Sequence, residues 1–353
     1  MTTSSAPPLA LTSVAAPVED RLRDILTGEA ERWLLVDPRL SEPFSVLSQF
    51  VLGGGKRLRP AFCHWAFIGA GGTVGDPMVI DAGAAFELLH AFALMHDDVM
   101  DGSSTRRNSP TVHATFEAMH TSNEWNGEAR RFGEGVAILV GDLAEVFADR
   151  IMSAAPTAAF AIWNELKIEL NIGQYLDVLG AARGEVDLES ARRISRYKSG
   201  KYTIERPLHL GAALAGRLEE LREPLSRFGE PLGDAFQLKD DLLGTFGDSD
   251  RTGKPVGDDL REGKPTPLLA IARQRANTSQ LAVLSRVGSL DLDEKEISTM
   301  QSVLVETGAS DEIERTISEL TEQALSAIVD APMTSQSIEA LGDLAAYVGT
   351  RDH

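Results

Sequence analysis

Apolar residues recur at i, i+3, i+4 and i+7 through most of the chain, set among Ala, Glu and Arg, and period-two alternation is scarce. That rhythm predicts helices over residues 18–36, 43–51, 58–69, 77–99, 111–120, 134–153, 157–180, 188–199, 204–215, 219–246, 267–276, 279–287, 293–307, 310–329 and 334–348. Glycine-bearing stretches at 53–55, 69–75 and 247–259 break the pattern as loops, and 122–131 reads as a polar connector. No repeat and no clear linker divides the chain. The pattern predicts one all-α domain over 19–353, a single large helical bundle around an apolar interior. Residues 1–18, rich in Ser, Thr, Ala and Pro, read as a flexible tail without the basic start and apolar middle of a secretory signal.

Two acidic clusters stand near the ends of apolar stretches: Asp97-Asp98-Val99-Met100-Asp101 and Asp240-Asp241-Leu242-Leu243-Gly244. On a helix Asp97 and Asp101 share a face, with Asp98 beside them. Carboxylates that close repel one another unless a cation sits between them. Hard oxygen ligands at this density suit Mg²⁺, which binds through a few carboxylates plus substrate phosphates. Arg106 and Arg107 follow the first cluster, and a guanidinium fork matches phosphate oxygens. The combination points to a diphosphate substrate.

Other segments add to that chemistry. In Gly54-Gly55-Lys56-Arg57-Leu58-Arg59 the glycines allow close backbone approach, and Lys56 and Arg59 are expected on one turn at the positive end of a helix, an anion seat. His90 lies seven residues before Asp97, two turns along the same face, where it can donate to a phosphate oxygen. Gly173-Gln174-Tyr175-Leu176-Asp177 puts polar groups on an apolar helix. Lys198-Ser199-Gly200-Lys201 is expected to end a helix, leaving Lys198 and Ser199 at a cavity wall. Gln237 precedes the second cluster, and Lys254 and Lys264 follow it on glycine-bearing stretches. A loop carrying Lys254 would close over a phosphate and exclude water. Taken singly, each of these is more simply a helix cap, a core histidine or a surface charge; their order is what argues for a site.

With 353 residues, 43% of them hydrophobic, the chain can build a substantial core. A net charge of −19 argues against nucleic acid or an anionic membrane surface as the main partner. Cys63 is the only cysteine, so no intrachain disulfide forms, which fits a reducing cytosol. No apolar run is read as approaching the roughly 20 residues of a membrane span.

These motifs, running over nearly the whole chain from about Asp20, resemble those of the trans-isoprenyl diphosphate synthases. The resemblance implies an isoprenoid synthase fold and a Mg²⁺-dependent, head-to-tail condensation of isopentenyl diphosphate with an allylic diphosphate. It implies that Asp97, Asp101 and Asp240 bind Mg²⁺, three ions with substrate bound, supported by Asp98 and Asp241. It places Arg106, Lys198 and Lys254 on the allylic diphosphate, with Lys264 in the same substrate-binding set. Gly55, Lys56, Arg59, His90 and Arg107 match the isopentenyl diphosphate pocket. Ser199 and Gln237 match polar groups near the developing allylic cation.

Phe92 and Ala93, five and four residues before Asp97, match the positions that set chain length. An aromatic followed by a small residue implies a C20 product, geranylgeranyl diphosphate, with a farnesyl or longer product as the alternative. The family forms homodimers through apolar helices, and a cytoplasmic homodimer is expected here. Two departures stand out: Gly244 replaces a third aspartate, which leaves open a contribution from Asp248 or Asp258, and Asn108-Ser109 replaces a glycine-containing stretch. A class I terpene cyclase would need neither Gly55-Lys56-Arg59 nor the second acidic cluster. A head-to-head condensing enzyme would lack the same N-terminal anion seat. A non-catalytic regulatory subunit would ordinarily lose its aspartates, and Gly244 is the feature that keeps that reading in play.

Overall fold

The helical rhythm is realised almost throughout the computed structural model, which describes residues 6–184, 187–247, 256–289 and 291–351. Helix α1 (Leu9–Leu34) leads into a short 3₁₀ turn, then α2 (Ser41–Leu52), α3 (Leu58–Gly69) and α4 (Pro77–Asp101). After a small hairpin come α5 (Val112–Ser122), α6 (Ala129–Met152), α7 (Thr157–Arg183) and α8 (Leu188–Ser195). A π-helical segment (Arg196–Glu205) joins α8 to α9 (Arg206–Leu214), and α10 (Leu218–Phe246) follows. The chain ends in α11 (Asp258–Glu262), α12 (Pro267–Arg275), α13 (Thr278–Leu284), α14 (Glu294–Glu306), α15 (Ala309–Ile328) and α16 (Ser335–Thr350).

Four local expectations are corrected. First, α1 begins at Leu9 rather than at residue 18. Ala10, Leu11, Val14, Val18, Leu22 and Leu26 form its buried stripe, which the Ser, Thr, Ala and Pro richness of that stretch masks, and the helix accommodates Pro17. Second, strands Thr105–Arg106 and Ser109–Pro110 pair antiparallel. Arg107 (φ +52°) and Asn108 (φ +58°) between them are both left-handed, as a two-residue type I′ turn requires. Asn108 tolerates that conformation better than most side chains, so it serves where a glycine would be expected. Third, Lys198-Ser199-Gly200-Lys201 does not end a helix. The turn widens instead, and the Arg206 amide donates five residues back to the Lys201 carbonyl. Fourth, α4 is long and apolar enough by composition to cross a membrane, with mean hydropathy 1.5, yet 61% of that window is buried inside the protein. Cys63 is buried and free.

Two apolar cores lie along α10. The larger gathers α1–α7, α9, the first half of α10, the end of α15 and α16, with Phe62, Phe86, Trp163 and Phe228 fully buried. The smaller packs Ala235, Leu238 and Leu242 against Leu260, Leu268, Ile297, Leu304 and Ile317 of the C-terminal helices. Because Leu238 and Leu242 face that second core, Asp240 is turned the other way, and Asp241 lies at the flank between core and cavity, both lining the cavity.

Candidate active site

A cavity of about 540 Å³ is lined by the Gly55–Arg59 entry to α3, α4, the hairpin, the end of α8 and the π segment, α10, and the Asp259–Thr266 stretch, with Asp177 of α7 and Arg351 completing the wall. It brings together Gly55, Lys56, Arg59, His90, Asp97, Arg106, Arg107, Lys198, Ser199, Gln237, Asp240, Asp241 and Lys264. Lys254 and Asp248 lie outside the described residues. Phe92 and Ala93 are partly buried against the main core but do not line the cavity, and the Phe92 ring packs on His96 at 4.5 Å between centroids.

The first acidic cluster sits in a cage of cations. Lys198 Nζ reaches Asp97 Oδ1 at 2.9 Å and Asp177 Oδ2 at 2.6 Å. Gln174 Nε2 donates to Asp97 Oδ1 at 3.0 Å, and Arg106 Nε to Asp98 Oδ1 at 2.7 Å. Burial opposes ionisation of Asp97, but Lys198, Lys264 and Arg106 outweigh it and hold the carboxyl below the usual range. Asp101 goes the other way: burial first, then the Asp97 charge, push it up to about 7. The two ends of one motif are thus shifted in opposite directions: the cations prevail at Asp97, burial and the Asp97 charge at Asp101.

The second cluster has its own partners. Gln237 Nε2 donates to Asp241 Oδ1 at 2.7 Å. Asp241 is 4% exposed, and burial, reinforced by Asp259 and Asp240, pushes its carboxyl far up. Arg351 donates to Asp240 and, at 3.1 Å, to the Phe236 carbonyl, while its guanidinium stacks 4.0 Å from the Phe236 ring. Lys264 Nζ stands between the clusters, 3.8 Å from Asp101 Oδ2 and 3.3 Å from Asp259 Oδ1.

The third group is basic. Lys56 does not share a turn with Arg59, contrary to the expectation. It precedes α3, and the left-handed Arg57 (φ +53°) caps the helix between them. Arg57 is buried against Glu87 and the Val51 carbonyl, which anchors the loop. Arg59 donates to Thr203 Oγ1 at 3.0 Å and lies 4.2 Å over the Tyr202 ring. Arg107 donates to the Gly54 carbonyl. His90 is held neutral, its pKa well below the ordinary value because of burial and then of Arg59, Arg107 and Arg106. Its Nδ1 is buried with no hydrogen-bond partner among the described residues.

Among the described residues no three acidic or imidazole groups converge closely enough to hold an ion by themselves. Asp97, Asp240 and Asp241 line the cavity wall, whereas Asp98 and Asp101 do not; Lys198, Arg106, Lys264 and Arg351 pair with Asp97, Asp98, Asp101 and Asp240 respectively. Asp241 Oδ2 is buried without a hydrogen-bond partner among the described residues. A hard divalent cation that takes a few carboxylates and completes its shell with water and phosphate oxygens fits this donor set. Sequence reasoning missed Arg351, Asp259 and the anchoring pair Arg57–Glu87. Arg351 and the Arg57–Glu87 pair act across long sequence separations that no local motif reports.

Fold and site together define an all-helical enzyme that handles diphosphates between two facing acidic clusters. The chain belongs to the polyprenyl synthetase family, whose model matches residues 41–304, and it is a prenyltransferase of the isoprenyl diphosphate synthase type. It is 32% identical to the geranylgeranyl diphosphate synthase of Mycobacterium tuberculosis, over 86% of this chain and 87% of that protein. It is 30% identical to the geranylfarnesyl diphosphate synthase of Aeropyrum pernix, over 85% of this chain and 92% of that one. Its fold matches a crystal structure of geranylgeranyl pyrophosphate synthase from Corynebacterium glutamicum complexed with isoprenyl diphosphate and magnesium. That match has a TM-score of 0.91 and 37% identity, covering 96% of this chain and 99% of the other.

Proposed function

We propose that this protein condenses isopentenyl diphosphate head-to-tail with an allylic diphosphate to give geranylgeranyl diphosphate, using Mg²⁺. The observation that carries the reading is two anion seats opening on one cavity. Lys198 and Arg106 stand over the first acidic cluster, and Lys56, Arg59 and Arg107 gather with His90 at the entry to α3. Mg²⁺, when bound by Asp97, Asp101 and Asp240, would neutralise the charge that develops on the departing diphosphate. Lys198 and Arg106 hold that diphosphate from the protein side. Lys56, Arg59, Arg107 and the neutral His90 position isopentenyl diphosphate, whose double bond attacks the allylic cation. Ser199 and Gln237 present dipoles to that cation, while Leu94, Phe236 and Leu243 on the cavity wall exclude water. The departing diphosphate takes the proton.

The C20 reading takes Phe92 and Ala93, one turn before the first cluster, as the residues that bound the growing chain, although neither lines the cavity itself. The relatives named as geranylgeranyl diphosphate synthases favour C20, and the Aeropyrum enzyme marks the longer alternative. The direct test incubates purified protein with Mg²⁺, isopentenyl diphosphate and, separately, C5, C10 and C15 primers, sizing products by mass spectrometry. A C20 product is expected, and Phe92→Ala should lengthen it. An unchanged distribution in that variant would remove Phe92 as the floor. No condensation with any primer would favour the regulatory-subunit reading.

A further inference from the structure

A second cavity, of about 470 Å³, lies away from the acidic clusters and falls in the size range of small-ligand pockets. It is enclosed by the first half of α1, by His64 and Trp65 of α3, by Val79 and Ile80 in the first turn of α4, and by the first turns of α16. Ala10, Val14, Val18, Trp65, Val79 and Ala340 are buried around it, so its walls are apolar. The Trp65 indole is fixed there by donating to the Ala10 carbonyl at 2.7 Å, and the His64 ring meets it edge-on at 5.2 Å. Leu9 and Val74, both largely exposed, extend the apolar surface to the rim. No residue lines both this cavity and the diphosphate cavity. On α4 the nearest lining residues of the two, Ile80 and Glu87, are seven positions apart, about 10 Å of helix.

The charge at this second cavity has one sign. Glu339 and Asp343 line it, and among the described residues no Lys or Arg does. The two are i and i+4 on α16, so they share a face, and neither has an ion-pair or hydrogen-bond partner among the described residues. Burial lowers the pKa of His64, so the imidazole adds no positive charge to oppose a cation. A diphosphate or a fatty acid would meet uncompensated negative charge here, which excludes the substrates and product of the first cavity. A ligand with an apolar body and a cationic end satisfies both halves: the body leaves water against Val14, Val79 and Trp65, and the charge stays at the mouth beside two carboxylates. We infer that this cavity binds an amphipathic amine, an aliphatic or aromatic body carrying one ammonium or guanidinium group. The site stands independently of the proposed condensation, because it shares none of that reaction's residues.

The test compares three probes with the same unbranched nine-carbon body, nonylammonium, nonan-1-ol and nonanoate, binding to the full chain by calorimetry at pH 7. Affinity should fall in that order, with about 10-fold or more between the ammonium and the carboxylate. Glu339→Gln combined with Asp343→Asn should bring the ammonium down to the affinity of the alcohol. Glu314→Gln combined with Glu322→Gln, two exposed positions on α15, removes the same net charge elsewhere and should leave all three affinities unchanged. Ser13→Trp, at an exposed position of the wall, should fill the cavity and abolish binding of every probe while the melting temperature is kept. Equal affinity for the three probes, or no binding of the ammonium, would overturn the inference. So would an α15 control that weakens the ammonium as much as the α16 variant does, since the acidic chain as a whole would then be the attraction. Ammonium binding that survives Ser13→Trp would place the probe somewhere else, the diphosphate cavity included, and would overturn it too.

Discussion

At Lys56 burial and the nearby Arg351 guanidinium both oppose the ammonium charge, with Asp240 working against them, and its pKa is brought down to about 8. A diphosphate bound beside it favours the protonated form, so isopentenyl diphosphate should bind best below pH 8 and more weakly above. The expected outcome is a kcat/KM for isopentenyl diphosphate that falls on the alkaline side with a midpoint near 8. Lys56→Arg should move that limb up by more than one unit, because a guanidinium does not titrate there. A limb that stays put in the variant would assign it to another group. Stability runs the opposite way. The unfolded lysine holds its proton to its ordinary 10.5, so between pH 8 and 10.5 the unfolded state binds more protons and Lys56 makes the fold more stable as pH rises. Lost activity at pH 9 without any fall in melting temperature is therefore the signature to look for. Lys56 itself was legible in the sequence, because Gly-Gly-Lys before a helix announces an anion seat. Its weakened charge was not, since Arg351 lies almost at the other end of the chain.

At the scale of elements, the π segment decides where Lys198 points. Residues 188–199 and 204–215 read as two helices because Lys198-Ser199-Gly200-Lys201 is polar and carries a glycine. Nothing in that composition reports a widened turn, which depends on what packs against it. Gly173 of α7 is the reason the segment can sit where it does: a Cβ there would lie 2.3 Å from the Lys198 backbone nitrogen. Gly200 and Gly233 likewise bring the segment against α10, a Cβ on Gly233 falling 2.8 Å from the Gly200 carbonyl oxygen. Glu169 then clamps it from α7, accepting from Lys201 at 2.8 Å and from Arg206 through both oxygens at 2.6 Å. Gly173→Ala should cost about 1–3 kcal/mol by overpacking. Displacing Lys198 by about 1 Å should also lower kcat, by up to about 100-fold. Gly28→Ala in α1, where nothing lies within 4 Å, is the matched control and should be neutral or slightly stabilising. Melting temperature and kcat measured together decide it; wild-type values for Gly173→Ala would mean that the π segment has room to spare. The hairpin escaped the sequence for a related reason. Arg107-Asn108 is a poor advertisement for a type I′ turn, and only the structure shows both residues left-handed.

For the whole molecule, the unpaired apolar surface and the net charge pull in opposite directions. Leu139 and Val146 of α6 are 64% and 59% exposed, and Ile168, Ile172 and Tyr175 of α7, spaced four and three apart, are 54%, 49% and 65% exposed. Lys167 of α7 reaches Asp149 of α6 at 2.6 Å, so the two helices that carry these residues meet there. Apolar side chains so arranged are what a homodimer would bury. Yet each chain carries a net charge of −19, and two copies repel at long range. That repulsion is screened within about 8 Å at physiological ionic strength, while apolar burial gains nothing from low salt. A dimer held through this face should therefore tighten as salt rises, the reverse of an ion-paired interface. Sedimentation equilibrium at about 20 mM and about 500 mM salt would read the difference, the Debye length falling several-fold between them. Leu139→Glu combined with Ile172→Glu should give a folded monomer at both concentrations. A wild-type protein that stays monomeric at high salt, or a variant that still dimerises, would assign this face to something other than a second copy of the chain.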